Sequence, residues 1–304
     1  LLNIAYKIAS ACISNRIKRV LPKLIHSDQK GFMKGRYIGD NIRLIYDMLL
    51  YTEQHNIPGL LLMVDLEKCF DSISWKFMDN VLNYLNFGPD IKRWIHIFYF
   101  DISSCISLNG LYSSWFNICR GVRQGDPLSP YLYLLCAEVL SNMLRGSERV
   151  KGIRLREKDV LLSQFADDTA LCLDGSEESF VEAIRILKCF AEMSGLKINY
   201  EKTQVVWIGS RKYCRIRYLR DMNFCWDPGT FKYLGVLFST DTDSMVQLNY
   251  DGKLQEIKKL LCLWSKRQLT PFGKITVLKT LALSKLTRSE EHTSELQSRP
   301  RISY

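Results

Sequence analysis

Nowhere in its 304 residues does the sequence run to the roughly 18 consecutive apolar residues of a membrane-crossing helix; its densest apolar stretches, 60–64 and 132–140, have the length of core elements. No membrane partner is expected. Histidine is scarce: His26, His55, His96 and His292 are widely spaced, so chemistry built on clustered imidazoles lacks material. The ten cysteines, from Cys12 to Cys262, include no C-x2-C pair, which argues against a zinc module and against a disulfide framework. A reducing intracellular compartment is the expectation. No Met opens the chain and no signal-peptide layout follows Leu1, the pattern of a piece of a longer polypeptide. Any metal site must be built from carboxylates.

What is present is a globular composition, 47% hydrophobic and 24% charged, in a chain long enough for one large domain or two to three coupled subdomains. The formal charge of +10 favours a polyanionic partner. That charge is unevenly placed. Residues 1–36 hold eight Lys or Arg against one acid, and residues 253–287 repeat that ratio, while the intervening stretch sums to −4.

The first basic stretch has apolar residues at Ile4, Ile8, Cys12, Ile13 and Ile17 in helical spacing and predicts an amphipathic helix ending near Pro22. After a loop punctuated by Gly31, Gly35 and Gly39, the spacing of Ile42, Ile45, Met48 and Leu49 predicts a second helix. The run 60–64 reads as a buried strand ending on Asp65. Ser74 is placed to cap a helix whose end is marked by Gly88 and Pro89. Ser129, Pro130 and Gly146 signal the cap, first turn and end of another. Between these two lies the loop 121–127. Residues 161–173 are apolar on both sides of Asp167 and Asp168, which predicts a β-hairpin with both acids at its tip. A helix over 177–195, strand-like stretches at 203–208 and 233–238, and a basic helical region over 253–285 follow. There is no internal repeat, and the mixture favours an α+β fold over a doubly wound parallel sheet.

If the strand ending at Asp65 neighbours the hairpin carrying Asp167 and Asp168, three carboxylates converge at one sheet edge. Such hard oxygen ligands suit Mg²⁺, and two ions about 3.5–4 Å apart can serve an in-line displacement at phosphorus. Taken separately, Asp65 also reads as a strand-end cap and the Asp-Asp pair as a solvated turn.

Six segments occur in a telling order: Gln29-Lys-Gly-Phe32 with Arg36, Asp65-Leu-Glu-Lys-Cys-Phe-Asp71, Gly121-Val-Arg-Gln-Gly-Asp-Pro-Leu-Ser-Pro130, Phe165-Ala-Asp-Asp168, Glu201-Lys-Thr203 and Tyr233-Leu-Gly235. The series resembles the motifs of non-LTR, LINE-type retrotransposon reverse transcriptases over roughly residues 1–287. By position, the resemblance implies that Asp65 and Asp167 bind two catalytic Mg²⁺ ions, with Mn²⁺ as the alternative ion, and that Asp168 completes the cluster. It makes Phe70 a steric gate against a ribose 2′-hydroxyl, or else an ordinary core residue. The loop 121–130 matches the segment that lines the nucleotide and template, with Gln124 and Gly125 at the nucleotide; it also reads as a helix-entry turn, and both roles can hold together. Lys34 and Arg36 would meet the triphosphate, unless they belong to a solvated basic loop. Lys202 would protonate the leaving pyrophosphate, or is one more surface lysine. Tyr233, Leu234 and Gly235 match the primer-grip turn, where Tyr233 is alternatively a packed hairpin aromatic. Cys69 stands where the family more often has Ala, which brings a thiol near the site.

The resemblance implies a right-hand polymerase: fingers over 1–59, a palm with an antiparallel sheet and inserted finger elements over 60–238, and the start of a helical thumb over 239–287. Residues 288–304 have an adapter-like sequence foreign to this pattern and are expected to be disordered. The implied reaction is RNA-templated DNA synthesis, with an RNA template, a DNA primer and dNTPs as partners, in the nucleus and cytoplasm. A decayed or co-opted domain that binds RNA without polymerising is the reading from another class, and a group II intron maturase the related enzyme. The endonuclease and Cys/His-rich segments that accompany this domain in the family lie outside the chain.

Overall fold

The computed structural model describes residues 2–241 and 244–283; the adapter-like tail at 288–304 lies outside them. The centre is a five-stranded sheet of β1 (Pro58–Val64), β9 (Leu162–Phe165), β10 (Asp168–Leu173), β12 (Gln204–Gly209) and β13 (Cys225–Trp226), in the order β13-β12-β1-β10-β9. Every pairing is antiparallel except β12 with β13. β1 is in the middle, and its unbroken apolar run follows from burial on both faces. Leu60, Leu62 and Val64 enter one core with Leu171, Leu173, Val205 and Trp207, while Leu61 and Met63 enter a second with Ala170, Cys172, Val206 and Ile208. The period-2 geometry of the strand divides them.

The first core is covered by α1 (Ile4–Leu24), α4 (Trp75–Tyr84), α5 (Pro89–Tyr99), α6 (Ser129–Arg145) and α7 (Glu177–Ser194). The second is covered by α2 (Ile38–Gln54) and a hairpin of β14 (Thr230–Tyr233) and β15 (Val236–Ser239). A single turn, α3 (Cys69–Ser72), follows the short strand β2 (Leu66–Glu67), which pairs with β11 (Lys197–Ile198). Two small ladders, β3 (Ser103–Ser104) with β6 (Phe116–Asn117) and β4 (Ser107–Leu108) with β5 (Leu111–Tyr112), form an outlying arm. β7 (Ile153–Leu155) pairs with β8 (Lys158–Val160), and α8 (Met245–Ser265) and α9 (Pro271–Val277) run on into a π-helical turn, Leu278–Leu283. Among the described residues no helix is long and apolar enough to cross a membrane.

The expected mixture of helices and antiparallel strands is present, and several boundaries move. α1 continues through Pro22 to Leu24, with Ile25 closing it through a bond to Leu21. Ser74 caps α4 by accepting from Phe77, but α4 ends at Tyr84, and Gly88 and Pro89 open α5 instead. Pro at the first helical position costs no hydrogen bond there, so the same dipeptide that stops one helix starts the next. Leu128, not Ser129, precedes α6, because the Ser129 hydroxyl donates to the Arg123 carbonyl at 2.7 Å. The stretch 233–238 is no single strand: Leu234 takes φ of 49° and Gly235 φ of 81°, which turns the chain between β14 and β15.

Candidate functional site

The edge of the sheet where β1 ends collects the acids. β1 and β10 register Val64 with Thr169, so one step further sets Asp65 across from Asp168. Asp168 itself pairs with Phe165, leaving Ala166 and Asp167 as a two-residue turn in which Ala166 has φ of 55°. That left-handed conformation is costly for a residue with a Cβ and needs outside support. Gln29 supplies it: its Oε1 accepts from the Ala166 amide at 2.8 Å and its Nε2 donates to the Ala166 carbonyl at 3.1 Å. A Cβ on Gly31 would sit 2.3 Å from the Ala166 nitrogen, so only glycine lets this loop press against the turn. The Gln29–Gly31 segment thereby fixes Asp167.

Asp65 is held from the other side. Its amide donates to the Thr203 hydroxyl at 3.2 Å, and its carbonyl accepts from Asn199 at 2.9 Å. The residue of the Glu201-Lys-Thr203 segment that reaches the acids is Thr203; Lys202 is exposed and does not line the cleft in front of them.

Burial, and then the charge of Asp65, hold Asp167 above the usual carboxylate range. Asp168 keeps an open side, yet partial loss of its solvation, followed by repulsion from Asp167 and Asp65, pushes it up to about 6, with Lys232 acting against the rise. The three carboxylates therefore feel one another. Among the described residues no three His, Cys, Asp or Glu side chains are grouped so that together they could hold a metal ion, so the three acids do not form a ready-made ligand set. A site of mutually repelling carboxylates beside an open cleft fits Mg²⁺ nonetheless, since that ion keeps several waters and takes substrate phosphate oxygens alongside one or two carboxylates.

The cleft in front of the acids measures about 560 Å³. Asp167, Asp168, Phe70, Gln124, Gly125, Leu234 and Gly235 all line it, so seven expected site residues meet there. Asp65, across the sheet from Asp168, is not in that lining. Phe70 lies 4.4 Å from the ring of Tyr133, a buried residue of α6, and edge-on to Phe32 at 6.4 Å, so its position has a rigid backing. The loop 121–127 is zipped to the segment after Asp65: Val122 donates to the Phe70 carbonyl, Gly121 to Ile73, and the Trp75 indole to the Gly121 carbonyl at 2.8 Å. A Cβ on Gly121 would fall 2.5 Å from the Asp71 carbonyl oxygen, and φ of 82° independently calls for glycine. The exposed Gln124 side chain donates to Asp71 at 3.4 Å.

Besides Asp65 and Lys202, three more expected site residues lie outside that lining. Arg36 donates to the main-chain carbonyls of Ile25, Gln29 and His26, which folds the 25–36 loop around its guanidinium and keeps it out of the cleft lining. Lys34 is exposed on the same loop, outside that lining. The Tyr233 ring is buried, and its hydroxyl donates to the Ser163 carbonyl at 2.9 Å, so the aromatic packs under the hairpin while Leu234 and Gly235 face the cleft.

Sequence reasoning passed over Arg123 and Asp126, both in the cleft lining. Asp126 is 3% exposed and accepts from Tyr6, Ser10, Leu128 and Ser129. A single carboxylate amid small polar residues leaves no periodic signal, and partners more than a hundred residues away leave none at all. Cys69 is buried, and desolvation followed by the Asp167 charge raises its thiol to about 12, so the thiol near the site is unreactive.

Residues 1–238 match the family model described as reverse transcriptase (RNA-dependent DNA polymerase). A transposon TX1 uncharacterized 149 kDa protein of Xenopus laevis is 34% identical over 79% of this chain and 18% of its own length. The Pol polyprotein of the R2DM type-2 retrotransposable element of Drosophila melanogaster is 25% identical over 85% of the chain and 24% of its own length. The chain thus spans about a fifth to a quarter of these curated relatives. Among solved structures, telomerase from Candida tropicalis in complex with a fragment of telomeric RNA has the same fold over 95% of the chain and 47% of its own, at a TM-score of 0.51 and 13% identity.

Proposed function

Since the chain belongs to the reverse transcriptase family and its relatives are non-LTR retrotransposon polyproteins, we propose that it is the RNA-directed DNA polymerase of such an element, extending a primer 3′-hydroxyl on an RNA template. The observation that carries this reading is the joining of Asp167, Asp168, Phe70 and the 121–127 loop around one cleft, with Asp65 near enough to raise the Asp168 carboxyl. In it, residues 1–59 act as fingers, 60–238 as palm and 239–287 as the start of a thumb.

Asp65, Asp167 and Asp168 are the residues that would hold Mg²⁺, which when bound lowers the pKa of the attacking hydroxyl and stabilises the leaving pyrophosphate. The chain's own part is positioning. The Gln29 latch keeps Asp167 at the turn, and Thr203 keeps Asp65 at the strand end. Phe70, wedged on Tyr133, limits the room beside the sugar, and Leu234 and Gly235, in the same cleft lining, present main chain to the primer end. Gln124 and Gly125 edge the space for the incoming base. Lys34 and Lys202 lie on exposed loops outside the cleft lining, and Arg36 contributes by shaping its loop.

Primer extension on an RNA template tests the reading, with Asp167→Asn as the control. Synthesis by the wild-type chain and a loss of about 10³-fold or more in the variant are expected for removal of a carboxylate that anchors the metal. Equal activity of the two would sink the metal assignment, and RNA binding with no extension would favour a domain that only binds.

A further inference from the structure

The acidic middle of the chain contains a basic island. Residues 37–252 hold 23 Lys or Arg, and five of them, Arg211, Lys212, Arg215, Arg217 and Arg220, fall within ten residues that carry no acid. The loop that bears them leaves β12 at Gly209, which pairs with Pro58 at the start of β1, whereas Asp65 follows the last residue of β1. At about 3.3 Å per strand residue, the loop begins roughly 20 Å from the acids, at the other end of the sheet. None of its residues lines the cleft in front of them.

The island is sorted into an inner and an outer set. Arg211 donates to the Gly175 carbonyl at 2.6 Å and lies over the Trp207 ring at 5.4 Å, and Lys212 pairs with Glu53 at 2.9 Å. The Trp207 indole donates to the Ile216 carbonyl at 3.0 Å, and the buried Tyr218 donates to the Gly175 carbonyl at 3.1 Å. These anchors brace the loop and leave Tyr213, Arg215, Ile216 and Arg217 exposed, the Tyr213 ring at 86%. Among the described residues no salt bridge joins Arg215 or Arg217 to a carboxylate. Burial raises the Asp227 carboxyl and nearby Arg217 works against the rise; that carboxylate also accepts from the Trp207 amide at 3.1 Å. Arg220 lies beyond Tyr218 and is followed at once by Asp221.

Two outward guanidinium groups offer forks for phosphate oxygens. An open phenol ring beside them offers a face for a base, and only an unpaired base can take it. We propose that this loop is a second RNA site, holding single-stranded RNA that lies outside the cleft, with Arg215 and Arg217 on its phosphates and Tyr213 under a base. The choice of RNA among polyanions rests on the polymerase reading.

The test is equilibrium binding of the full chain to a labelled single-stranded RNA across a KCl series, with the cleft filled by an excess of short blunt RNA–DNA duplex. Changing Arg215→Gln together with Arg217→Gln is expected to weaken the binding that survives the duplex about tenfold or more. The slope of log K against log salt should fall by about 1.4, at ~0.7 for each single-strand phosphate. Tyr213→Leu should weaken the same binding about fivefold and leave the slope alone, because stacking releases no counterions. Arg215→Lys with Arg217→Lys keeps both charges and should keep the slope, which separates lost charge from a misfolded loop. Primer extension on a short template should match the wild type in every one of these variants.

No duplex-resistant RNA binding by the wild type, or an unaltered slope in the glutamine pair, would overturn the assignment. So would a glutamine pair that keeps RNA and loses phosphatidylserine vesicles, which would give the loop to a membrane surface. Because binding is read without turnover, the two readings fail separately. Arginine-dependent RNA binding with no primer extension would remove the polymerase reading and leave this one, while extension with the wild-type slope in the glutamine pair would do the reverse.

Discussion

At the scale of single residues, the site is a contest between burial and charge. Asp168 has a pKa near 6 in the folded chain, above its ordinary value of 3.8. A carboxylic acid whose pKa is raised by folding costs the native state stability wherever it is ionised, so the cost is complete above about pH 6 and disappears as pH falls toward 4. In metal-free buffer, Asp168→Asn should therefore raise the melting temperature at pH 7.5 by a few degrees, and the gain should shrink to nothing near pH 4. A gain independent of pH would show that the strain is steric. Phe70 is the other residue whose role is sharply testable. Its ring is wedged between Tyr133 and Phe32 on the cleft wall, so truncation opens space without disturbing the acids. For Phe70→Ala, the ratio of kcat/KM for dNTP over rNTP should fall about tenfold or more; an unchanged ratio makes Phe70 a core residue. Cys69 needs no such test of function, since its buried thiol packs where an alanine would.

At the scale of elements, what was legible in the sequence was whatever repeats with a period or carries a cap. The apolar run of β1, the Ser74 cap and the hairpin bearing Asp167 and Asp168 all have local causes and are present, although the turn is Ala166 and Asp167, and Asp168 opens β10 instead of sharing the tip. The losses have causes that pattern does not carry. α5 was hidden because Gly88 and Pro89 punctuate in both directions, and the turn at Leu234, marked by the motif, was masked in the apolar pattern over 233–238 because a leucine at positive φ is chosen by its surroundings. The arm of β3 to β6 has two-residue strands, too short to show alternation. Arg36 was legible as a motif residue and illegible in its bonding, because three carbonyls of its own loop claim the guanidinium. One tertiary joint of this kind can be probed directly. Asn249 of α8 accepts from the Leu237 amide at 2.9 Å and donates back to the Leu237 carbonyl, standing in for a neighbouring strand at the edge of β15. Asn249→Ala leaves both groups of Leu237 without that partner, for a destabilisation of about 1–3 kcal/mol. Hydrogen exchange at the β14–β15 hairpin should accelerate while β1 and β10 stay protected; uniform acceleration would mean that α8 supports the whole sheet.

At the scale of the molecule, the charge has a layout that the chemistry explains. The stretch that contains the acids is net negative and would by itself repel a polyanion. The two basic stretches at the ends of the chain reverse the sign where a duplex would be held, 1–36 through α1 and its loop and 253–287 through α8 and α9. Lys258, Lys259 and Lys266 of this second stretch are exposed, and Arg267 lies over Trp264 at 4.7 Å. If these groups neutralise phosphates, the triple change Lys258→Gln, Lys259→Gln and Lys266→Gln should weaken binding of an RNA–DNA duplex irrespective of its sequence. The salt slope should fall by about 0.7 to 0.9 for each phosphate no longer neutralised. The melting temperature should hold, because exposed lysines contribute little to folding. Lys188, exposed on α7 in the acidic stretch, is the matched control whose neutralisation should leave the slope alone. A triple variant that binds with the wild-type slope would show that the second basic stretch serves another surface, and would confine the duplex path to the first stretch.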